Sequence, residues 1–321
     1  MSKPKVYVTR KLPENIVEPF QKYFDINMWS KEDEPVPRKI LLQEVEQVDA
    51  LLSMLSDDIN DELFQHAPNL KIVANLAVGF DNINLADAKK HDVVITNTPD
   101  VLTETTADLA FGLLMATGRR LIEAQEYIRK DKWTDWAPFL LAGKDIHYQT
   151  IGIVGMGRIG TAVARRAKGF NMPIIYHNRS RNEEAEKELG AKYVSFDELL
   201  TEADYVVSLV PLSEETKRIF NKDAFAKMKK SAIFINAGRG QTMIEEDLYA
   251  ALIEGEIAAA GLDVFEKEPI RADHPLMKLD NVVCLPHIGS ASVKTREEMI
   301  ELCFNNFKNL FDGKDVLTEV K

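Results

Sequence analysis

Gly155-Met156-Gly157-Arg158-Ile159-Gly160 follows an apolar run, Thr150-Ile151-Gly152-Ile153-Val154, and opens an alanine- and arginine-rich stretch of helical character. The order reads as strand, tight glycine turn and helix. In that setting one glycine permits the sharp turn and one lets a pyrophosphate approach the backbone. The third lets helix and strand pack closely. The ligand's negative charge then sits at a helix N-terminus, where unpaired N–H groups and the helix dipole favour anions. With both flanks in place, a dinucleotide-binding turn is favoured over a purely structural one.

The bulk composition bounds the alternatives. A chain of 321 residues with 45% hydrophobic and 28% charged content has room for two domains with proper cores. Forty basic against 51 acidic residues leave a net charge of −11, which opposes non-specific binding to nucleic acid or anionic membrane. An anionic ligand must therefore meet a local cluster of positive groups. Cys284 and Cys303 stand in no metal-like spacing, so two free thiols, no metal site and a reducing, cytoplasmic setting are expected. Met1-Ser2-Lys3-Pro4-Lys5 runs straight into strand-like Val6-Tyr7-Val8 without a signal-peptide core. No stretch approaches a membrane span.

Apolar runs alternate with helical patterns along most of the chain. Val6–Val8, Ala50–Leu55, Ile72–Leu76 and Val93–Thr96 read as strands, separated by helices around Glu14–Tyr23, Asp58–Gln65 and Leu85–Lys90. Such alternation predicts a parallel sheet. Thr103–Lys130 follows as one long helix with Thr103 as N-cap, suited to bridging domains or packing on a partner. Trp133–Leu141 is aromatic and aperiodic, and Lys31–Pro37 reads as a solvated loop. Beyond the glycine turn, Ile174–His177, Tyr205–Leu209, Ala232–Asn236, Ala258–Leu262 and Val282–Leu285 join Thr150–Val154 as six strands of one doubly wound sheet. Glu183–Leu189, Glu245–Glu254 and the tail Ser292–Phe311 read as helices.

The second strand of such a unit ends near the adenosine ribose, where an acid selects the free 2′-hydroxyl of NAD. Here the strand ends in Asn178-Arg179-Ser180-Arg181, with no acid. A carboxylate repels a 2′-phosphate, whereas Arg179 with Ser180, and Arg181 behind them, offers fork-shaped donors that match one. NADP(H) is the expected preference with NAD(H) still possible, against a plain basic loop in an NAD enzyme.

Three later loops carry unusual polar residues. Arg239 lies between glycines in Asn236–Gly240, Glu268 follows the run Gly261–Phe265, and His287 stands in Leu285–Gly289. Ligands of doubly wound sheets bind beyond the C-terminal strand ends, so all three can converge near a nicotinamide.

Taken in order, these motifs resemble the D-isomer-specific 2-hydroxyacid dehydrogenase family. The likeness runs through Asn75–Ile83, Leu102–Ala110, the glycine turn, the Arg239 loop, Gly261–Pro269 and Pro286–Ser290. Within the family the chain is most similar to the glyoxylate/hydroxypyruvate reductases, with the 2-ketogluconate reductases close behind, in part through Asn178-Arg179-Ser180 and Trp133–Leu141. The resemblance implies an α/β architecture of two doubly wound parallel-sheet domains. A Rossmann cofactor domain (101–287) would be inserted into a flavodoxin-like substrate domain (1–100 and 288–321).

It also implies roles. His287 would be the general acid toward the carbonyl of a small 2-keto acid during hydride transfer. Glu268 would pair with it, since a neighbouring carboxylate favours the protonated imidazole. Arg239 would clamp the substrate carboxylate, with the backbone N–H groups of Val78 and Gly79 on its other side. Gly155, Gly157, Arg158, Ile159 and Gly160 would hold the pyrophosphate, and Asn178, Arg179 and Ser180 the ribose end. Val210 and Pro211 would lie under the adenosine, with Thr216 nearby. Thr106, Ala237, Asp263 and Gly289 would meet the nicotinamide side, although Asp263 also suits simple turn capping.

Glu245 stands where the family carries Asp, which leaves the capping of its helix open. Hinge closure bringing Val78-Gly79 toward His287, and a homodimer built through the cofactor domain, are further implications. Trp136 or Leu140 would either reach the partner's active site or be buried in the interface. A dinucleotide-sensing corepressor is the alternative from another class, disfavoured because the catalytic trio is present.

Overall fold

The computed structural model describes residues 2–320, and the chain divides into two compact units, Met1–Leu102 with Ser292–Lys321, and Thr103–Ala291. The first unit runs β1 (Lys5–Val8), α1 (Glu14–Val17), β2 (Asp25–Met28), α2 (Arg38–Val45), β3 (Ala50–Ser53), α3 (Asp61–His66), β4 (Ile72–Asn75), α4 (Leu85–Lys90) and β5 (Val94–Thr96). Its five strands pair in parallel in the order β2-β1-β3-β4-β5. β3 and β4 are buried at every position, the pattern of strands covered on both faces. A C-terminal helix, Val293–Phe311, closes this unit with Met299, Ile300, Cys303, Phe304 and Phe307 turned inward. Phe24 packs edge-on against Phe307.

The second unit opens with α5 (Thr103–Gly118) and α6 (Leu121–Arg129) and continues β6 (Ile151–Val154), α7 (Arg158–Gly169), β7 (Ile174–His177), α8 (Glu183–Leu189), β8 (Lys192–Tyr193), α9 (Phe196–Glu202) and β9 (Tyr205–Ser208). It ends with α10 (Lys222–Lys227), β10 (Ile233–Asn236), α11 (Glu245–Ile253), β11 (Ala259–Leu262) and β12 (Val282–Cys284). Seven parallel strands lie in the order β12-β11-β10-β9-β6-β7-β8. Strand order reverses between β6 and β9, so a crevice opens beyond their carboxyl ends, where such sheets bind ligands. One core cluster lies on the face covered by α5 and α7, and another on the face covered by α9, α10 and α11.

The α/β class of two doubly wound parallel sheets holds, with local differences from the expected elements. The stretch Thr103–Lys130 is two helices, broken where Arg120 takes the left-handed conformation (φ 53). The Gly118 carbonyl accepts from the Lys144 N–H at 2.8 Å and is drawn out of the helical ladder. Tyr205 also crowds this point, since a β-carbon on Gly118 would lie 2.5 Å from its hydroxyl. Strands β2 and β8 were not expected. β2 is a half-exposed edge strand, and β8 is only two residues long. Glu14–Tyr23 is a single α-turn followed by a 3-10 turn at Glu18–Phe20. Cys284 and Cys303 are free thiols, and burial pushes Cys284 up to about 12. No helix among the described residues is long and apolar enough to cross a membrane.

Asp204, just ahead of β9, ties three segments of the second unit together. Its carboxylate accepts from the Thr150 N–H at 3.0 Å and from Lys144 and Lys229 at 3.2 Å each. Burial pushes its pKa up, but these donors outweigh that and hold it below the ordinary aspartate value. Asp204→Asn is expected to cost roughly 1–3 kcal/mol at neutral pH, measured as a lower urea midpoint. Because the folded-state pKa is lowered, this stability is present above pH 3.8 and is lost as pH falls through the folded value. The wild-type and variant midpoints should therefore converge in acid; a gap that stays constant there contradicts the assignment.

Candidate active site

The glycine turn joins β6 to α7 by close contact. Gly155 adopts φ 104, and a β-carbon there would lie 2.8 Å from the Leu209 carbonyl carbon. One on Gly160 would run into the Gly155 carbonyl oxygen. Gly157, by contrast, faces open space, and as N-cap of α7 it makes no side-chain cap. The turn is thus closed on the protein side and open where a phosphate can approach Gly157, Arg158 and Ile159 at the helix N-terminus. A dinucleotide fits this cradle.

Two asparagines brace the turn. Asn178 Oδ1 accepts from the Met156 N–H at 3.2 Å, and Asn182 Nδ2 donates to the Met156 carbonyl at 2.9 Å. Asn182 also caps α8 through Ala185 N–H, a role not expected from the sequence. Arg179 and Ser180 are exposed, whereas Arg181 is committed to Glu186 at 2.5 and 3.0 Å. Arg181 is therefore a poorer phosphate donor than the sequence suggests. Val210 is buried, exposed Pro211 follows it, and Thr216 Oγ1 donates to the Pro211 carbonyl at 2.6 Å.

The remaining loops leave the carboxyl ends of β10, β11 and β12, which lie side by side. After β10, the Ala237 N–H donates to Ser208 O at 3.2 Å. The Arg239 carbonyl accepts from fully buried Asn236 and from Thr242, at 3.1 and 2.6 Å, and its guanidinium reaches Gly238 O at 3.0 Å. A β-carbon on Gly240 would strike the Phe265 backbone, so this loop packs directly on the next. After β11, Asp263 is buried and accepts from the Ile288 N–H at 2.8 Å. Burial raises its pKa, against the Ile288 N–H, the His287 charge and the Gly289 N–H. Gly289 lies where a β-carbon would be 3.2 Å from Thr106 Cγ2 and 3.3 Å from Asp263 Oδ2, bringing Thr106, Asp263 and Gly289 together.

His287 Nδ1 lies 2.7 Å from Glu268 Oε2, and Glu268 Oε1 accepts from the Phe265 N–H at 3.0 Å. His287 holds φ 53, a left-handed conformation of the kind that persists only where surrounding contacts impose it. Burial pushes Glu268 up, but the His287 bond and charge, the Phe265 N–H and Arg239 outweigh it. Its carboxyl is held below the ordinary glutamate range. Glu245 does not cap α11. It accepts from the Glu266 N–H at 2.7 Å and contacts His274 at 3.2 Å, which steadies the loop carrying Glu268.

In the first unit, Val78 and Gly79 follow β4 in a half-buried loop. Two side chains not singled out from the sequence hold this loop: Asn75 Nδ2 donates to Gly79 O at 2.9 Å and Asn97 Nδ2 to Val78 O at 2.8 Å. Asn75 opens the motif Asn75–Ile83, but a buried amide at a strand end carries no distinguishing periodicity.

An all-parallel sheet with an open phosphate cradle beyond β6 and a His–carboxylate pair beyond β12 defines a dinucleotide-dependent α/β protein equipped for proton transfer. Comparison with known proteins narrows the class. Residues 111–289 match the model of the D-isomer specific 2-hydroxyacid dehydrogenase NAD binding domain. The chain is 52% identical over 314 residues to a glyoxylate reductase of Thermococcus onnurineus, covering 96% of this chain and 93% of the relative. It is 50% identical over 305 residues to a glyoxylate reductase of Korarchaeum cryptofilum, covering 95% and 92%. Among solved structures, the NADPH-dependent glyoxylate/hydroxypyruvate reductase of Sinorhizobium meliloti, in complex with NADP and malonate, is 34% identical with a TM-score of 0.87, covering 99% and 97%. The chain belongs to the D-isomer specific 2-hydroxyacid dehydrogenase family, and its cofactor is a nicotinamide dinucleotide.

The tight approach at Gly160 makes a direct prediction. Gly160→Val should weaken NAD(P)H binding at least tenfold, roughly the effect of losing one charge-assisted hydrogen bond, in a fluorescence titration. Gly157→Ala should weaken it less. Equal affinity for wild type and Gly160→Val would show that the turn does not hold the cofactor.

Proposed function

We propose that this protein reduces small 2-keto acids, glyoxylate and hydroxypyruvate first, to 2-hydroxy acids. The observation that carries the reading is the 2.7 Å His287–Glu268 pair, in a chain 50% and 52% identical to glyoxylate reductases of Korarchaeum cryptofilum and Thermococcus onnurineus. The reduced nicotinamide, when bound, supplies the hydride. Glu268, ionised, only accepts hydrogen bonds, so His287 Nδ1 carries a proton toward it. Nε2 is then the atom that gives a proton to the substrate carbonyl oxygen. Arg239, always charged and fork-shaped, is suited to a substrate carboxylate, and in the first unit the N–H groups of Val78 and Gly79 are suited to one as well. Asp263 and the backbone around Ala237 and Gly289 orient the nicotinamide. The first unit serves as substrate domain and the second as cofactor domain.

Exposed Arg179 and Ser180, with no acid at position 178, support preference for NADP(H). The S. meliloti reductase, named as NADPH-dependent, supports the same reading. Reduction of 2-ketogluconate by the same chemistry is the nearest alternative, and differs in the length of substrate accommodated.

A second copy of the chain is proposed to cover the second unit's apolar face. Leu121, Ile122, Ile128, Trp133, Trp136 and Phe139 are all about half-exposed or more. Ile122 also lines a groove of about 850 Å³, together with Tyr127, Met277 and Cys284. Patches of this kind mark protein interfaces.

In steady-state assays with glyoxylate, hydroxypyruvate and 2-ketogluconate, His287→Asn should lower kcat by roughly 10²–10⁴. Arg179→Ala should reduce the NADPH-over-NADH preference. A near-normal rate for His287→Asn sinks the catalytic assignment, and a wild type that prefers NADH sinks the cofactor preference. Light scattering should give the mass of a dimer, and Trp136→Glu with Phe139→Glu should shift it toward the monomer; a monomeric wild type refutes the interface.

A further inference from the structure

The loop after β4 has four successive carbonyls fastened to protein. Ala77 O accepts from the Thr98 N–H at 2.9 Å, Val78 O from Asn97 Nδ2 at 2.8 Å and Gly79 O from Asn75 Nδ2 at 2.9 Å. Phe80 O accepts from the Ile83 N–H at 2.9 Å. In a planar trans peptide the C=O and N–H point in opposite directions. Fastening the carbonyls of Ala77, Val78 and Gly79 therefore turns the N–H groups of Val78, Gly79 and Phe80 the other way. None of these three N–H groups has an acceptor among the described residues, although Val78 and Gly79 are half-buried. Such donors are normally satisfied, and successive ones facing one side form an anion-binding concavity.

The side chains that fasten the loop are themselves fixed. Asn75 is fully buried and makes a reciprocal amide pair with Asn82 at 3.1 and 3.3 Å, while its Oδ1 also accepts from Ser53 Oγ at 3.1 Å. Asn82 Nδ2 is anchored in turn on the carbonyls of Met54 and Asp57 at 3.1 and 2.9 Å. Asn97 is held through its backbone, donating to Thr318 O at 3.3 Å and accepting from Thr318 Oγ1 at 2.7 Å.

We infer that Asn75 and Asn97 are positioning residues that set a three-amide carboxylate cradle at Val78, Gly79 and Phe80, with the Phe80 N–H as a third donor. The inference rests on the reading of Val78 and Gly79 as contacts of the substrate carboxylate. Each asparagine touches only a carbonyl, and acts on the ligand through the N–H on the far side of that peptide. The cradle takes one carboxylate of a small 2-keto acid or of an inert analogue such as oxalate.

Asn97→Asp keeps the shape and places an oxygen against Val78 O. In the dimer or monomer as purified, its KM for glyoxylate and the dissociation constant of oxalate should rise together, by roughly 10- to 100-fold for one lost donor to a charged ligand. The kcat should stay within about threefold, because the lost interaction is made equally in ground and transition states. NADPH affinity should not change. Asn97→Gln, which keeps the donor, should recover part of the oxalate affinity, and Asn97→Leu should not. Asn75→Asp repeats the test at Gly79 O.

With the wild-type protein labelled on glycine nitrogen, the Gly79 amide resonance should move when oxalate is added. Unchanged oxalate affinity in Asn97→Asp overturns the inference. So does a joint fall in kcat, NADPH affinity and melting temperature without a KM change, or a Gly79 resonance that stays still. A wild type that binds oxalate through Gly79 but reduces no 2-keto acid refutes the proposed activity and leaves the cradle supported. Turnover of glyoxylate with unaltered variants refutes the cradle alone.

Discussion

The approach of α7 to the turn after β6 leaves no room for a β-carbon at Gly160, whose neighbour is the Gly155 carbonyl oxygen. That contact places the first-turn N–H groups of α7 directly beyond the strand, and the reversal of strand order between β6 and β9 opens the crevice beside them. A helix only a little farther from its strand would aim the same dipole at solvent. The arrangement is stable because the rest of α7 buries Ala162, Val163, Ala164 and Ala167. Small side chains on that face allow the short separation that the glycines require.

The chemistry sits where a parallel sheet permits it. Every strand of the second unit ends on one edge, so loops far apart in sequence start side by side there. Arg239, Asp263 and His287 follow three neighbouring strands, and contacts between the loops make a single assembly of them. Gly240 packs on Phe265, Asp263 holds the Ile288 N–H, and Glu268 is fixed by Phe265 before it meets His287. Glu245 is absorbed into the same assembly through Glu266. In the first unit the same geometry puts the Val78–Phe80 loop at the end of β4, braced by asparagines at the ends of two adjacent strands.

Much of this was legible in the order of residues. Uninterrupted apolar runs such as Ile72–Asn75 and Ile233–Asn236 mark strands covered on both faces, and glycines at positions 155, 157 and 160 mark a turn whose spacing serves one purpose. Other features were not legible, because they depend on partners distant in the chain. The break after Gly118 arises from Lys144 and Tyr205, which local periodicity does not register. β2 exposes half its residues, so its apolar signal is diluted, and β8 is too short for a period. Arg181 reads in the sequence as a further phosphate ligand behind Arg179, but Glu186, five residues on, occupies it.

By itself the sequence determined the class of each long element, the dinucleotide turn and the family, since periodicity, glycine spacing and ordered motifs are local properties. Tertiary structure alone decided which polar groups are left with work to do. It set the Phe265 N–H against Glu268, committed Arg181 to Glu186, and tied the carbonyls of Ala77, Val78 and Gly79 so that the N–H groups of the same peptides point the other way. Hydrogen-bond partners in a parallel sheet are set by strand order and register rather than by proximity along the chain.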